Sequence, residues 1–139
     1  LNPKPGLIAG TFNGSISALA TGSKLIKYLT EGNFYGEHGR IKELEEKFKT
    51  KLTHLMKNSC QDKITFVGGI GTMLAFEVGD STTETVSKFI KKLFDNGIVA
   101  FMAGKEPTRV RLLIPLTLTD EHINEIISII EKTVLAEIK

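Results

Sequence analysis

Apolar residues recur at Ile16, Leu19, Ala20, Ile26 and Leu29, a helical spacing that follows a loop of small residues, Gly10–Gly14. Asn13 and Ser15 are candidate N-caps for this helix. Ala18, Ala20, Gly22 and Ser23 keep it narrow, so a neighbour can pack close. "EGNFYGEHG" then interrupts the pattern with Gly32, Gly36 and Gly39. A second stripe, Ile41, Leu44, Phe48, Leu52 and Leu55, predicts another helix with Lys and Glu on its remaining faces, ending near Asn58.

Beyond Asn58 the period shortens to that of strands. Ile64–Val67 and Met73–Val78 read as two strands joined by a tight glycine-rich turn, Gly68–Gly71. Ser81 with Glu84 has the spacing of a capping box. The helix it would open carries Val86, Phe89, Ile90, Leu93 and Phe94, and Asn96–Gly97 ends it. Ile98–Met102 and Arg109–Ile114 predict two further strands around "AGKEPT", the last limited by Pro115, which has no N–H to donate. Thr119 caps a final helix, with Asp120 and Glu121 suited to its positive end and Ile123, Ile126, Ile127, Ile130 and Val134 as its buried stripe. The expected fold class is α+β: two N-terminal helices followed by a ββαββα unit with a mostly antiparallel sheet.

Composition adds limits. With 139 residues, 41% hydrophobic and 24% charged, the chain can build a real core. A net charge of +2, from basic residues spread along the chain, gives no reason to expect nucleic acid. No apolar run approaches a membrane span, and no signal-peptide pattern is present. The lone Cys60 cannot form an internal disulfide, which favours a reducing compartment and a cytoplasmic location. "LNPKPGLIAG" reads as a segment continued from something upstream.

Three places carry candidate chemistry. In the opening loop, Gly10 and Gly14 let backbone approach a ligand, Thr11 offers a hydroxyl, and a helix N-terminus follows. The Gly-Lys-Ser/Thr ending of a P-loop is missing, so a capped helix with a flexible lead-in explains the local pattern equally well. "VGGIGTM" leads into a strand rather than a helix and reads as a hairpin. Arg109 and Arg111 share one strand face, with Val110 and Leu112 on the other. An arginine in so apolar a strand needs an anionic partner if buried, and both a carboxylate of the chain itself and a ligand carboxylate answer that need. Glu77, alternating with apolar neighbours, reads as an outward-facing charge. His38, His54 and His122 show no metal spacing with one another or with Cys60, and no metal site is expected.

Taken in order, these segments resemble the C-terminal portion of class III aminotransferases, the fold type I enzymes that use pyridoxal 5′-phosphate. "GTFNGSISALATGSKLIKYL" is similar to their Thr-Phe-Gly-Gly-Asn-Pro-Leu-Ala segment and the long helix after it. "ITFVGGIGTMLAFEV" is similar to their Val-Arg-Gly-x-Gly-Leu-Met-Leu hairpin. "LFDNGIVAFMAGKEPTRVRLLIPLTLTDEHINEIISIIEKTV" resembles their closing strands and Thr-capped helix, so the likeness runs in register from Gly6 to Val134. There are departures: Ser15-Ile16 replaces Asn-Pro, Asn13 the first glycine, Gly68 or Gly69 the hairpin arginine, and Ile114 the first proline of the closing pair.

The resemblance implies a division at residue 34. Residues 1–34 would belong to the end of the cofactor domain and residues 35–139 would form the C-terminal small domain. It also implies a homodimer in which Thr11 reaches the cofactor phosphate of the neighbouring subunit, with backbone from Gly10 or Phe12 assisting. Arg111 would meet the carboxylate of an amino-acid or oxo-acid substrate. The Schiff-base lysine, the aspartate facing the pyridine nitrogen and the aromatic residue on the ring all precede this region in the family. This segment alone is therefore not expected to transaminate. The competing expectation is a stand-alone small-molecule-binding or regulatory α+β domain.

Overall fold

The computed structural model describes residues 4–6 and 10–138. The helices are α1 (Ile16–Glu31), α2 (Arg40–Lys57), α3 (Thr83–Asp95) and α4 (Asp120–Glu137). The strands are β1 (Ile64–Ile70), β2 (Met73–Val78), β3 (Phe101–Ala103) and β4 (Arg109–Leu113). They form one antiparallel sheet in the order β1-β2-β4-β3, so the expected α+β class and the ββαββα succession are both present.

Strand alternation decides the two faces of this sheet. Leu74, Phe76, Val78, Val110 and Leu112 point to one side and are buried there. The stripes of α2 (Leu44, Phe48, Leu52, Leu55), α3 (Val86, Phe89, Leu93) and α4 (Ile123, Ile127, Ile130, Val134) close over them in one core. Phe76 meets Phe89 edge-on at 6.3 Å between centroids, a geometry that aromatic quadrupoles favour. Among the described residues, no helix covers the opposite side of the sheet. That side carries Phe66, Met73, Ala75, Glu77, Phe101, Arg109, Arg111 and Leu113, half-buried or exposed.

Helix α1 differs from the rest. None of its residues is buried, and Ile16, Leu19, Leu25 and Ile26 are each more than half exposed.

Local details depart from expectation where tertiary contacts intervene. The hairpin turn is Gly71–Thr72, two residues, and β1 runs on through Ile70 opposite Met73. Gly69 sits at φ +126°, where a Cβ would come within 2.3 Å of the Met73 carbonyl oxygen, so only glycine fits. The edge strand near residue 98 begins later than predicted, at Phe101, because Ile98 and Ala100 are taken into the core before pairing starts.

The box expected from Ser81 and Glu84 does not form. Ser81 is buried in the preceding turn at φ +53°, and Thr82 is the N-cap, accepting the Thr85 N–H at 3.2 Å. Glu84 turns instead to Lys88 at 2.6 Å. At α4, Thr119 caps as expected, and His122 completes a reciprocal box by accepting the Thr119 N–H through Nδ1.

Two polar clusters fix the frame around the open face. Glu45, on a helix face read as solvated, is buried. Its Oε2 accepts the Gly71 N–H at 2.8 Å and its Oε1 the Lys49 ammonium at 2.7 Å. The Lys49 hydrogen bond, then the Gly71 amide, hold its pKa down at about 2. Arg40 donates to the Leu116 and Leu118 carbonyls in the segment after β4 and pairs with Glu43 at 2.8 Å. Lys47 bridges Glu43 and Asp120, joining α2 to the start of α4.

Candidate functional site

The open face of the sheet gathers the candidate chemistry. In the β2–β4 register, Ala75 stands opposite Arg111, and one step further along Glu77 meets Arg109. Arg109 Nε donates to Glu77 Oε1 at 2.8 Å, and its guanidinium lies 4.6 Å from the centroid of the Phe66 ring. Glu77 also accepts from Thr65 Oγ1 at 3.4 Å. Thus Glu77 is no free outward charge: its side chain is 16% exposed and engaged by the neighbouring strand.

Arg111 is placed differently. Its cross-strand neighbours are Ala75 and Phe101, neither with an acceptor side chain. The guanidinium lies 5.6 Å from the Phe101 ring centroid, a cation–π contact. Its Nε is buried and has no hydrogen-bond partner among the described residues, where Arg111 also joins no ion pair. A buried donor without an acceptor is costly, and a planar cation with one open edge suits a carboxylate. Beside it lies a hollow of about 410 Å³ with Ala75, Ala103 and Gly104 as small residues and Ile70 and Met73 as apolar ones.

A second cavity, of about 320 Å³, lies near the β3 edge between Phe48, Ile98, Leu112 and Ile126, and no titratable side chain lines it. Among the described residues no three His, Cys, Asp or Glu side chains gather to hold a metal ion. No described helix is long and apolar enough to cross a membrane.

The other predicted site is the loop before α1. Gly10, Thr11 and Phe12 are all exposed, in a turn closed by the Asn13 N–H on the Gly10 carbonyl at 3.0 Å. Ser15 occupies the N-cap position without a side-chain cap bond, its hydroxyl turned to Ser17 at 3.1 Å. The first turn of α1 thus receives no capping side chain from Ser15, an arrangement that leaves a helix N-terminus open to an anion. None of the described lysines is buried.

Sequence reasoning placed Arg109 and Arg111 together but missed which of them a carboxylate holds. The partners Glu77 and Phe66 lie on other strands, and only the register of the sheet brings them to Arg109.

Comparison with known proteins identifies the family. Residues 2–134 match the family model for class III aminotransferases, and the chain belongs to this family. It is 30% identical over 128 residues to the acetylornithine aminotransferase of Streptococcus mutans, covering 92% of this chain and 31% of that protein. It is likewise 30% identical over 130 residues to the diaminobutyrate–2-oxoglutarate transaminase of Halomonas elongata, covering 92% of this chain and 30% of that protein.

Among solved structures, the acetylornithine aminotransferase of Elizabethkingia anophelis superposes with a TM-score of 0.76 at 28% identity, over 96% of this chain and 33% of that one. The ornithine aminotransferase of Toxoplasma gondii, whose structure has partial occupancy of PLP at its active site, superposes at 0.72 and 25% identity over 96% of this chain and 30% of that one. The chain spans about 30% of the length of the curated relatives it matches.

Proposed function

We propose that this chain is the C-terminal part of a pyridoxal-phosphate-dependent transaminase that moves an amino group between an amino acid or amine and an oxo acid or aldehyde. Residues 1–34 belong to the end of the cofactor domain and residues 35–139 form the small domain. That no residue of α1 is buried, against the closed core of the rest, supports that division. A helix this apolar needs a surface to cover it, and none in the described chain does so.

The single observation that carries the reading is Arg111: a buried donor without an acceptor, on the uncovered face of the sheet. In this role it binds the substrate carboxylate through its planar edge, while Phe101 fixes the guanidinium from one side. Thr11, with Gly10 and Phe12, holds the cofactor phosphate from across a homodimer interface. The loop's full exposure and a first turn of α1 without a Ser15 side-chain cap fit a phosphate and suit contact with a second subunit. When bound, pyridoxal phosphate supplies the electron sink for breaking bonds at the amino-bearing carbon.

This segment contributes positioning, not the reactive amine. Exposed and half-buried lysines keep their hydration and lack the desolvation that activates an imine-forming amine. The protein's part here is to orient: a phosphate grip, a carboxylate anchor and an apolar wall. Movement of the small domain would carry that wall toward the substrate.

In the full-length enzyme, Arg111→Ala should raise KM for carboxylate substrates by about tenfold to a hundredfold, as expected for loss of a charge-assisted pair. Unchanged kinetics would overturn Arg111 as the carboxylate anchor. Mixed with pyridoxal phosphate and borohydride, the isolated 139-residue chain should give no stoichiometric reducible adduct on lysine by mass spectrometry.

A further inference from the structure

The geometry points to Glu77 as a specificity-determining residue: by holding Arg109, it leaves this wall with one available cation among the described residues, so the wall receives a single carboxylate rather than a dianion. The inference rests on the reading above that Arg111 is the carboxylate receptor.

Arg109 and Arg111 lie two residues apart on the same strand face, about 7 Å along the chain. Both border the hollow that has Ala75 and Ala103 as its small residues. Unrestrained, two guanidinium groups at that spacing would form a fork for two neighbouring carboxylates or a phosphonate. The sheet prevents it. Glu77 stands across from Arg109 and takes its Nε at 2.8 Å, Phe66 covers the guanidinium at 4.6 Å, and Thr65 holds the second carboxylate oxygen. Arg111 faces Ala75 at the equivalent position and has no such partner. Two arginines and one glutamate therefore leave one unit of positive charge on the open face. Ile70 and Met73 extend the wall as hydrocarbon, which disfavours a second desolvated charge.

The pair has a second consequence. Without Arg109, Glu77 would become an uncompensated anion one register step from Arg111, repelling the substrate or capturing the receptor. Glu77 and Arg109 are thus positioning residues that act through each other on the charge seen by Arg111.

The test uses the full-length protein, ¹⁵N-labelled on arginine, and two probes of like shape, isobutyrate and methylmalonate, followed by the arginine Nε–Hε resonances. In the unmodified chain both probes should move Arg111 and not Arg109, with Kd values within about threefold of each other. Glu77→Gln should release Arg109, so that methylmalonate binds at least tenfold more tightly than isobutyrate and both resonances move. Arg109→Gln should weaken isobutyrate at least tenfold.

An unchanged preference in Glu77→Gln overturns the inference. So does an Arg109→Gln chain that binds isobutyrate like the parent, and this second variant decides the matter if Glu77→Gln does not fold. An unmodified chain in which neither probe moves Arg111 overturns the receptor reading itself. The parent titration therefore separates the two failures.

Discussion

At the scale of single residues, the sites that matter are those where a side chain has no second choice. Gly69 is one, because its backbone lies at φ +126° with the Met73 carbonyl where a Cβ would go. Gly69→Ala should destabilise the chain by more than about 1 kcal/mol, read as a lowered denaturant midpoint. Glu45 is another. Its carboxyl, ordinarily near 4.5, is held at about 2 by Lys49 and Gly71. A depressed carboxylate contributes fully above its unfolded pKa, so this part of the stability is complete above about pH 4.5 and falls away as pH drops toward 2. Glu45→Gln should cost about 1–3 kcal/mol near neutrality and flatten the acid limb of a stability–pH curve.

At the scale of elements, α1 and α4 make a contrast. Helix α4 buries Ile123, Ile127, Ile130 and Val134 and carries a reciprocal cap between Thr119 and His122. Removing the cap with Thr119→Ala should lower stability by about 1 kcal/mol. Helix α1 is 16 residues long and buries none of them. A helix of that length without tertiary support is marginal in water. In the isolated chain its amides should exchange with solvent far faster than those of β2 and β4, and native-state hydrogen exchange reads this directly. Slow exchange along α1 in a monomeric chain would contradict the division at residue 34.

For the whole molecule, that division predicts that the core does not depend on α1. A chain starting at residue 35 should unfold within about 1 kcal/mol of the full chain, since what it loses is surface rather than core. On the same proposal, the open sheet face would be a wall that another part of the full protein meets. Arg40, tying α2 to the carbonyls of Leu116 and Leu118, holds the segment after β4 in place. Arg111, two residues before the end of β4, is therefore presented from a framed strand rather than from a loop. A receptor on a rigid strand can be carried as a unit when the domain moves.

Much of this was open to reading in one dimension. Helical and alternating periods are imposed by backbone geometry, so the stripes of α2, α3 and α4 and the faces of β2 and β4 follow from residue order alone. Thr119 as a cap and Asn96–Gly97 as a stop are likewise local. Other features required the chain to fold. Ser81 and Thr82 both offer a hydroxyl at the start of α3, and the Ser81 backbone, turned to φ +53° where its carbonyl meets the Thr108 N–H, leaves the cap to Thr82. Glu45 looked like any charge on a solvated helix face until the hairpin amide of Gly71 came over it. Glu77 belongs to Arg109 and not to Arg111 only because β2 and β4 pair in one register. Periodicity acts over a few bonds and is written in residue order, whereas the choice of partner between strands depends on distances that exist only once the sheet is assembled.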